Sequence, residues 1–151
     1  MSDLRDLYQE VILDHNKRPR NFGPMANATS HAQGHNPLCG DRVTVYVRLE
    51  DDRIADVSFE GSGCAISRAS ASLMTDSVKG GAVADADALF ERFQALLTAG
   101  PASTPDLSDI GKLEVLAGVR DYPSRIKCAT LAWHALQAAI HGGSERAVTS
   151  E

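Results

Sequence analysis

Three thiols and one carboxylate are the residues of this 151-residue chain whose types and placement can do chemistry. Cys39 and Asp41 lie two residues apart in Gly34-His35-Asn36-Pro37-Leu38-Cys39-Gly40-Asp41, a stretch too rich in Gly, Asn and Pro to be core. In an extended chain residues i and i+2 point to one side, so this pair aims at one point. Gly40 keeps the backbone between them permissive. Cys64 and Cys128 lie far along the chain. Three thiols and a carboxylate can fill a tetrahedron around zinc or a similar soft cation. The spacing is not C-x-x-C, so placement relative to the elements carries more weight than spacing. Each cysteine also has the plainer reading of a small buried apolar residue, strongest for Cys128 and weakest for Cys39.

The elements that must position these groups follow from periodicity. Leu4, Leu7, Tyr8, Val11 and Ile12 predict an amphipathic helix over residues 4–16, closed by Pro19. Residues 17–38 read as a loop leading to Cys39, with a third strand fitting residues 28–34. Residues 42–49 alternate strictly, with Val43, Val45, Val47 and Leu49 on one face. Asp41 and Cys39 continue that row, so thiol and carboxylate fall where a buried sheet face meets a loop. A turn at Glu50 to Arg53 leads to a partner strand over 54–60, with Ala55, Val57 and Phe59 on one side. Gly61-Ser62-Gly63-Cys64 then opens a helix over 65–78, at whose N-terminus a thiolate is favoured. Residues 84–98 predict another helix, 100–105 a linker-like loop and 107–119 a short helix weakened by Gly111 and Gly118. The last helix runs from about Ser124, its candidate cap, to Ile140, with Cys128, Leu131, Ala132, Ala135 and Ala139 on one face. Residues 144–151 read as a flexible tail beyond a single domain over 1–143.

Three thiolates and a carboxylate around a divalent cation leave about two net negative charges, which need compensation in a partly buried site. Arg125 and Lys127 flank Cys128, and Arg68 lies one turn beyond Cys64. Lys127 and Arg68 also read as a solvated face; Arg125, in a Pro-Ser-Arg turn, is the better candidate for supporting the site. Among the histidines, His134 lies about 240° around the helix from Cys128 and faces away. His15, His31 and His141 are remote, and His35 is the one rival ligand kept in reserve.

Composition bounds the rest. With 43% hydrophobic and 23% charged residues the chain fits one globular domain. A net charge of −5 without a basic cluster argues against nucleic acid. No apolar run approaches the roughly 18 residues of a spanning helix, and no signal-peptide region opens the chain. Three cysteines, an odd count, fit a reducing compartment, so a cytoplasmic protein with no membrane partner is expected.

The chain resembles the IscU/NifU-N family of iron–sulfur assembly proteins, and more closely its SufU branch. The resemblance runs from Leu7-Tyr8 through His15, Pro19 and Asn21-Phe22-Gly23 to Asn36-Pro37-Leu38-Cys39-Gly40-Asp41. It continues in Gly61-Ser62-Gly63-Cys64-Ala65-Ile66-Ser67 with Ser70-Ala71-Ser72, and in Arg125-Ile126-Lys127-Cys128-Ala129-Thr130-Leu131-Ala132-Trp133. Two features favour the SufU branch: Lys127 stands where IscU proteins carry His before the third cysteine, and the segment between Cys64 and Cys128 is longer, around residues 84–105. Asp121-Tyr122-Pro123-Ser124-Arg125 replaces the Leu-Pro-Pro-Val-Lys chaperone signal of IscU.

The resemblance implies an α+β fold with a small antiparallel sheet packed on several helices, and zinc bound by Cys39, Asp41, Cys64 and Cys128. It implies a zinc-dependent sulfurtransferase whose Cys39 accepts persulfide sulfur from a SufS-type cysteine desulfurase and passes it to a downstream SUF scaffold protein or thiol acceptor. Cys39 is free to attack if a partner draws it off the metal, a movement its loop with Gly34, Pro37 and Gly40 would allow. The alternatives are a scaffold that holds iron or a [2Fe–2S] cluster on the same cysteines, and a regulatory zinc protein without sulfur chemistry.

Overall fold

The computed structural model describes residues 2–36, 40–99, 110–141 and 145–149, with side chains for 9–36, 40–99 and 110–141. Helix α1 spans Ser2–Lys17, followed by strands β1 (Ser30–Asn36), β2 (Asp41–Glu50) and β3 (Arg53–Ser62). Helices α2 (Ala65–Val78) and α3 (Val83–Thr98) come next. A 3₁₀ helix over Gly111–Asp121, helix α4 (Pro123–His141) and strand β4 (Glu145–Thr149) complete the order. The fold is α+β, with sheet order β3-β2-β1-β4. Among the described residues no helix is long and apolar enough to cross a membrane.

The β2–β3 hairpin sets the sheet. Glu50 pairs with Arg53, so Asp51 and Asp52 form a two-residue loop with φ of +51° and +64°. Positive φ at both central residues suits the right-handed twist of paired strands, and Asp tolerates it. Asp41, Val43, Val45 and Val47 are buried on one face of β2, as alternation predicts. On β3 the inward row departs from the expected one. Arg48 pairs with Asp56 and Leu49 with Ile54, leaving Ala55 as the extra residue of a bulge. The bulge turns Ile54 inward beside Val57 and Phe59 and leaves Ala55 half-buried.

One face of the sheet carries α4, whose buried side includes Cys128, Leu131, Ala132, Ala135 and Leu136. Gly34 leaves room on β1 for the Leu131 side chain of α4. A Cβ there would stand 2.9 Å from Leu131 Cδ1, so a larger residue would force that side chain to shift. Gly34 belongs to β1 and is not part of a mobile loop. Helix α3 docks on α4, where Phe90 stacks on Trp133 at 5.7 Å between centroids and Phe93 meets it at 5.5 Å. Residues 84–98 thus enlarge the core; 100–105 lie outside the described residues. The expected helix over 107–119 appears as a 3₁₀ helix from 111, which agrees with the weakened α pattern; 107–109 lie outside the described residues.

Helix α1 packs on α2 through polar contacts. His15 Nδ1 and Ser72 Oγ are 2.7 Å apart, Arg20 N donates to Ser72 Oγ at 2.8 Å, and Asn21 Nδ2 donates to Thr75 Oγ1 at 3.1 Å. Residues 21–23 then pair with Phe59 and cover the free edge of β3. Residues 145–149, expected as tail, run parallel to β1 as the fourth strand. Backbone N–H and C=O groups on the open side of β1 take them up.

Candidate metal centre

Each described ligand candidate sits where an element begins. Asp41 opens β2 and is fully buried. Cys64 is the N-cap of α2, with φ −74° and ψ 168°, and its sulfur accepts the Ser67 N–H at 3.4 Å. Cys128 is in the second turn of α4 and fully buried. One ligand atom from each, the carboxylate and the two sulfurs, can be chosen so that all lie within 4.8 Å of one another. Residues 41, 64 and 128 meet because the hairpin, the β3–α2 turn and α4 converge at one end of the sheet. Cys39 lies outside the described residues. Asn36 and Gly40 on either side of it are joined by a bond from Gly40 N to Asn36 O of 2.8 Å.

The carboxylate is held from one side. Cys64 N donates to Asp41 Oδ1 at 2.9 Å. Asp41 Oδ2 is buried without a hydrogen-bond partner among the described residues. A buried carboxylate oxygen left alone is costly. A cation beside the two sulfurs would satisfy it, and an S₂O donor set suits zinc or iron. The residues therefore fit such a metal. Gly63 makes this arrangement possible, since a Cβ there would stand 2.4 Å from Asp41 Oδ1.

Two residues of the centre escape a reading by residue type. Asn36, fully buried at the end of β1, donates from Nδ2 to Cys128 Sγ at 3.7 Å. Gly63 looks like ordinary turn glycine. Strand alternation extended from Ala32 and Gly34 to Asn36 would have flagged the first; the Gly-Ser-Gly run before a candidate ligand would have flagged the second.

The candidate supporting cations divide. Arg125 is exposed in the first turn of α4, where its N–H donates to Tyr122 O at 2.8 Å. Helix α4 starts at Pro123, whose fixed φ suits the first helical position, and Ser124 lies inside the helix rather than capping it. Arg68 turns away from the cluster. Its Nε donates to Asn16 O at 3.3 Å and its guanidinium lies 5.0 Å above the Phe22 ring, tying α2 to the end of α1 and the chain after it. Lys127 is half-buried.

The histidines lie elsewhere. His35 alternates to the sheet face opposite Gly34 and Asn36 and is absent from the described ligand cluster. His134 packs edge-on against Phe90, and burial holds its imidazole below the usual range. His141 meets Asp87 at 3.0 Å.

Residues 7–129 match the family described as the NifU-like N terminal domain. The chain is 42% identical over 140 residues to a Streptococcus pyogenes serotype M1 protein named iron-sulfur cluster assembly scaffold protein IscU, covering 93% of this chain and 86% of that one. It is 41% identical over 139 residues to a Bacillus subtilis (strain 168) protein named zinc-dependent sulfurtransferase SufU, covering 92% of each. A crystal structure from Fervidobacterium islandicum AW-1, described as an iron-sulfur cluster assembly scaffold protein for the SUF system, aligns with a TM-score of 0.79 at 33% identity. It covers 87% of this chain and 94% of that one.

Proposed function

We propose, from the premise that this chain belongs to the NifU-like N-terminal domain family of iron–sulfur cluster assembly proteins, that it is a zinc-dependent sulfurtransferase fed by a cysteine desulfurase. The observation that carries the reading is the meeting of Asp41, Cys64 and Cys128, together with an Asp41 carboxylate that is buried and has an oxygen without a hydrogen-bond partner among the described residues. Asp41, Cys64, Cys128 and Cys39 would hold the metal, and zinc, when bound, keeps the thiols deprotonated. The Bacillus subtilis relative is named for this activity, and Lys127 rather than His before the third cysteine supports the same branch.

The chemistry falls to Cys39. Its thiolate attacks the outer sulfur of the desulfurase's Cys–S–SH. A new S–S bond forms on Cys39 as the partner's S–S bond breaks. The desulfurase cysteine leaves as a thiolate, the proton stays on the transferred sulfur, and no net oxidation occurs. Asp41, Cys64 and Cys128, fixed by the starts of β2, α2 and α4, stay in place meanwhile. A downstream SUF scaffold or thiol acceptor then removes the sulfur by the same exchange. A reducing compartment such as the cytoplasm suits these steps.

The scaffold reading, with iron or a [2Fe–2S] cluster as cargo on the same cysteines, draws on the name of the Streptococcus relative. Mass spectrometry after incubation with cysteine and its desulfurase separates the two. An added sulfur is expected on the peptide containing Cys39. Cys39→Ser should abolish transfer while zinc is partly retained by the other three ligands. Sulfur chiefly on Cys64 or Cys128, with Cys39→Ser still active, overturns the assignment. Iron and labile sulfide in place of zinc, in protein purified without oxygen, would select the scaffold reading.

A further inference from the structure

Asn36 touches the centre in more ways than its residue type foretells. Its side chain is fully buried because Ala32, Gly34 and Asn36 share the inner face of β1. A buried amide requires partners for its donors, and Nδ2 gives one to Cys128 Sγ at 3.7 Å. The backbone of Asn36 also lies beside Asp41. Asn36 pairs with Asp41 across the β1–β2 ladder, and its carbonyl accepts the Gly40 N–H at 2.8 Å. That bond ties together the two residues flanking 37–39.

We propose that Asn36 is a positioning residue of this centre: its amide holds the Cys128 thiolate as a fixed, non-transferring ligand. A hydrogen bond donated to a thiolate is charge-assisted and stabilises the sulfur lone pairs. It fixes the sulfur's direction and lowers its readiness to attack a persulfide. Cys64 has a matching donor in the Ser67 N–H at 3.4 Å. Two of the three thiols are thereby committed to the metal by N–H donors.

The inference rests on the metal reading above, and its test separates the two. Full-length wild type, Asn36→Leu, Asn36→Ala and Cys128→Ser are loaded with Co²⁺ and, separately, with Zn²⁺. Losing the N–H donor raises the sulfur lone pairs in energy, so the sulfur-to-cobalt charge-transfer band should move to longer wavelength in both Asn36 variants. Their zinc affinity, read by competition with a chromophoric chelator, should fall about 10- to 100-fold. Leu keeps the branched four-heavy-atom shape of Asn without its N–H donor, so a role in shape alone predicts a wild-type band and affinity for Asn36→Leu; that result overturns the proposal. If wild type takes up neither metal, or its band ignores Cys128→Ser, the metal reading fails and the inference with it. If the Asn36 variants do not fold, ¹⁵N-labelled wild type loaded with ¹¹³Cd decides. Scalar coupling between the Asn36 side-chain N–H and cadmium across the N–H···S bond is expected, and its absence refutes the contact.

Discussion

Gly63 carries two constraints, a backbone φ of +157° and a neighbouring carboxylate. The Cys64 N–H reaches Asp41 Oδ1 because residue 63 has no side chain, and a Cβ would overlap that oxygen at 2.4 Å. Gly63→Ala should therefore displace the carboxylate and weaken zinc binding by about tenfold or more, with far-ultraviolet circular dichroism close to wild type. Full zinc retention measured by elemental analysis and chelator competition would contradict this. Arg125 belongs to a different class of residue. It is exposed at the start of α4, as is Tyr122 at 63%, three residues before buried Cys128. Under the proposed sulfur transfer, Arg125 would help dock the desulfurase. Arg125→Ala should lower sulfur acceptance, read as desulfurase stimulation, more than it lowers zinc binding. Equal stimulation by wild type and variant would leave Arg125 as solvated surface.

At the scale of elements, the seam between α1 and α2 is sensitive to pH. His15 is buried against Ser72. Desolvation holds its imidazole below the usual range, and the charge of Arg20 and, more weakly, Lys112 act in the same direction, while Asp76 and Asp14 oppose them. A depressed pKa in the folded state means that the unfolded chain binds more protons below about pH 6.5. The contribution of His15 to stability is thus fully present above that pH and is lost as pH falls through its folded pKa. In denaturant titrations between about pH 5 and 8, the stability of wild type should fall on acidification faster than that of His15→Gln. Parallel pH profiles for the two would remove His15 as the cause. The variant keeps His134 and the metal ligands, so their titrations cancel in the difference.

For the whole molecule, the candidate metal centre would also act as a clasp. Asp41 belongs to the hairpin, Cys64 to the β3–α2 junction and Cys128 to α4, elements distant in sequence. A metal that binds this set and not the unfolded chain adds stability by mass action, about 4 kcal/mol at a thousandfold excess over Kd. For a domain of this size that corresponds to roughly 10 °C or more in melting midpoint. Thermal melts of the zinc protein before and after chelation, with removal verified by elemental analysis, should differ by that order. Equal midpoints would mean that the elements hold one another without the metal, as the shared core beneath α4 could permit.

The sequence by itself determined what short-range physics controls. Alternation over 42–49 specifies β2 and the inward row that ends at Asp41; the 3.6-residue period specifies α1, α3 and α4, and composition between glycine runs specifies α2, to within a few residues of their ends. The starts of those elements were legible too, so Cys64 at a helix N-terminus and Cys128 on an inward helix face follow from local pattern. Tertiary structure alone decided what depends on neighbours distant in the chain. The bulge at Ala55 follows from register against β2, and β4 follows from an open strand edge to which a short polar segment adds. Arg68 spans to α1 rather than facing the thiols, because Phe22 and the Asn16 carbonyl lie within its reach. Asn36 and Gly63 acquire meaning only when β1, the β3–α2 turn and α4 bring an amide and an absent Cβ against Cys128 and Asp41. Periodicity reports which way a side chain points; it carries no record of which distant atom waits there.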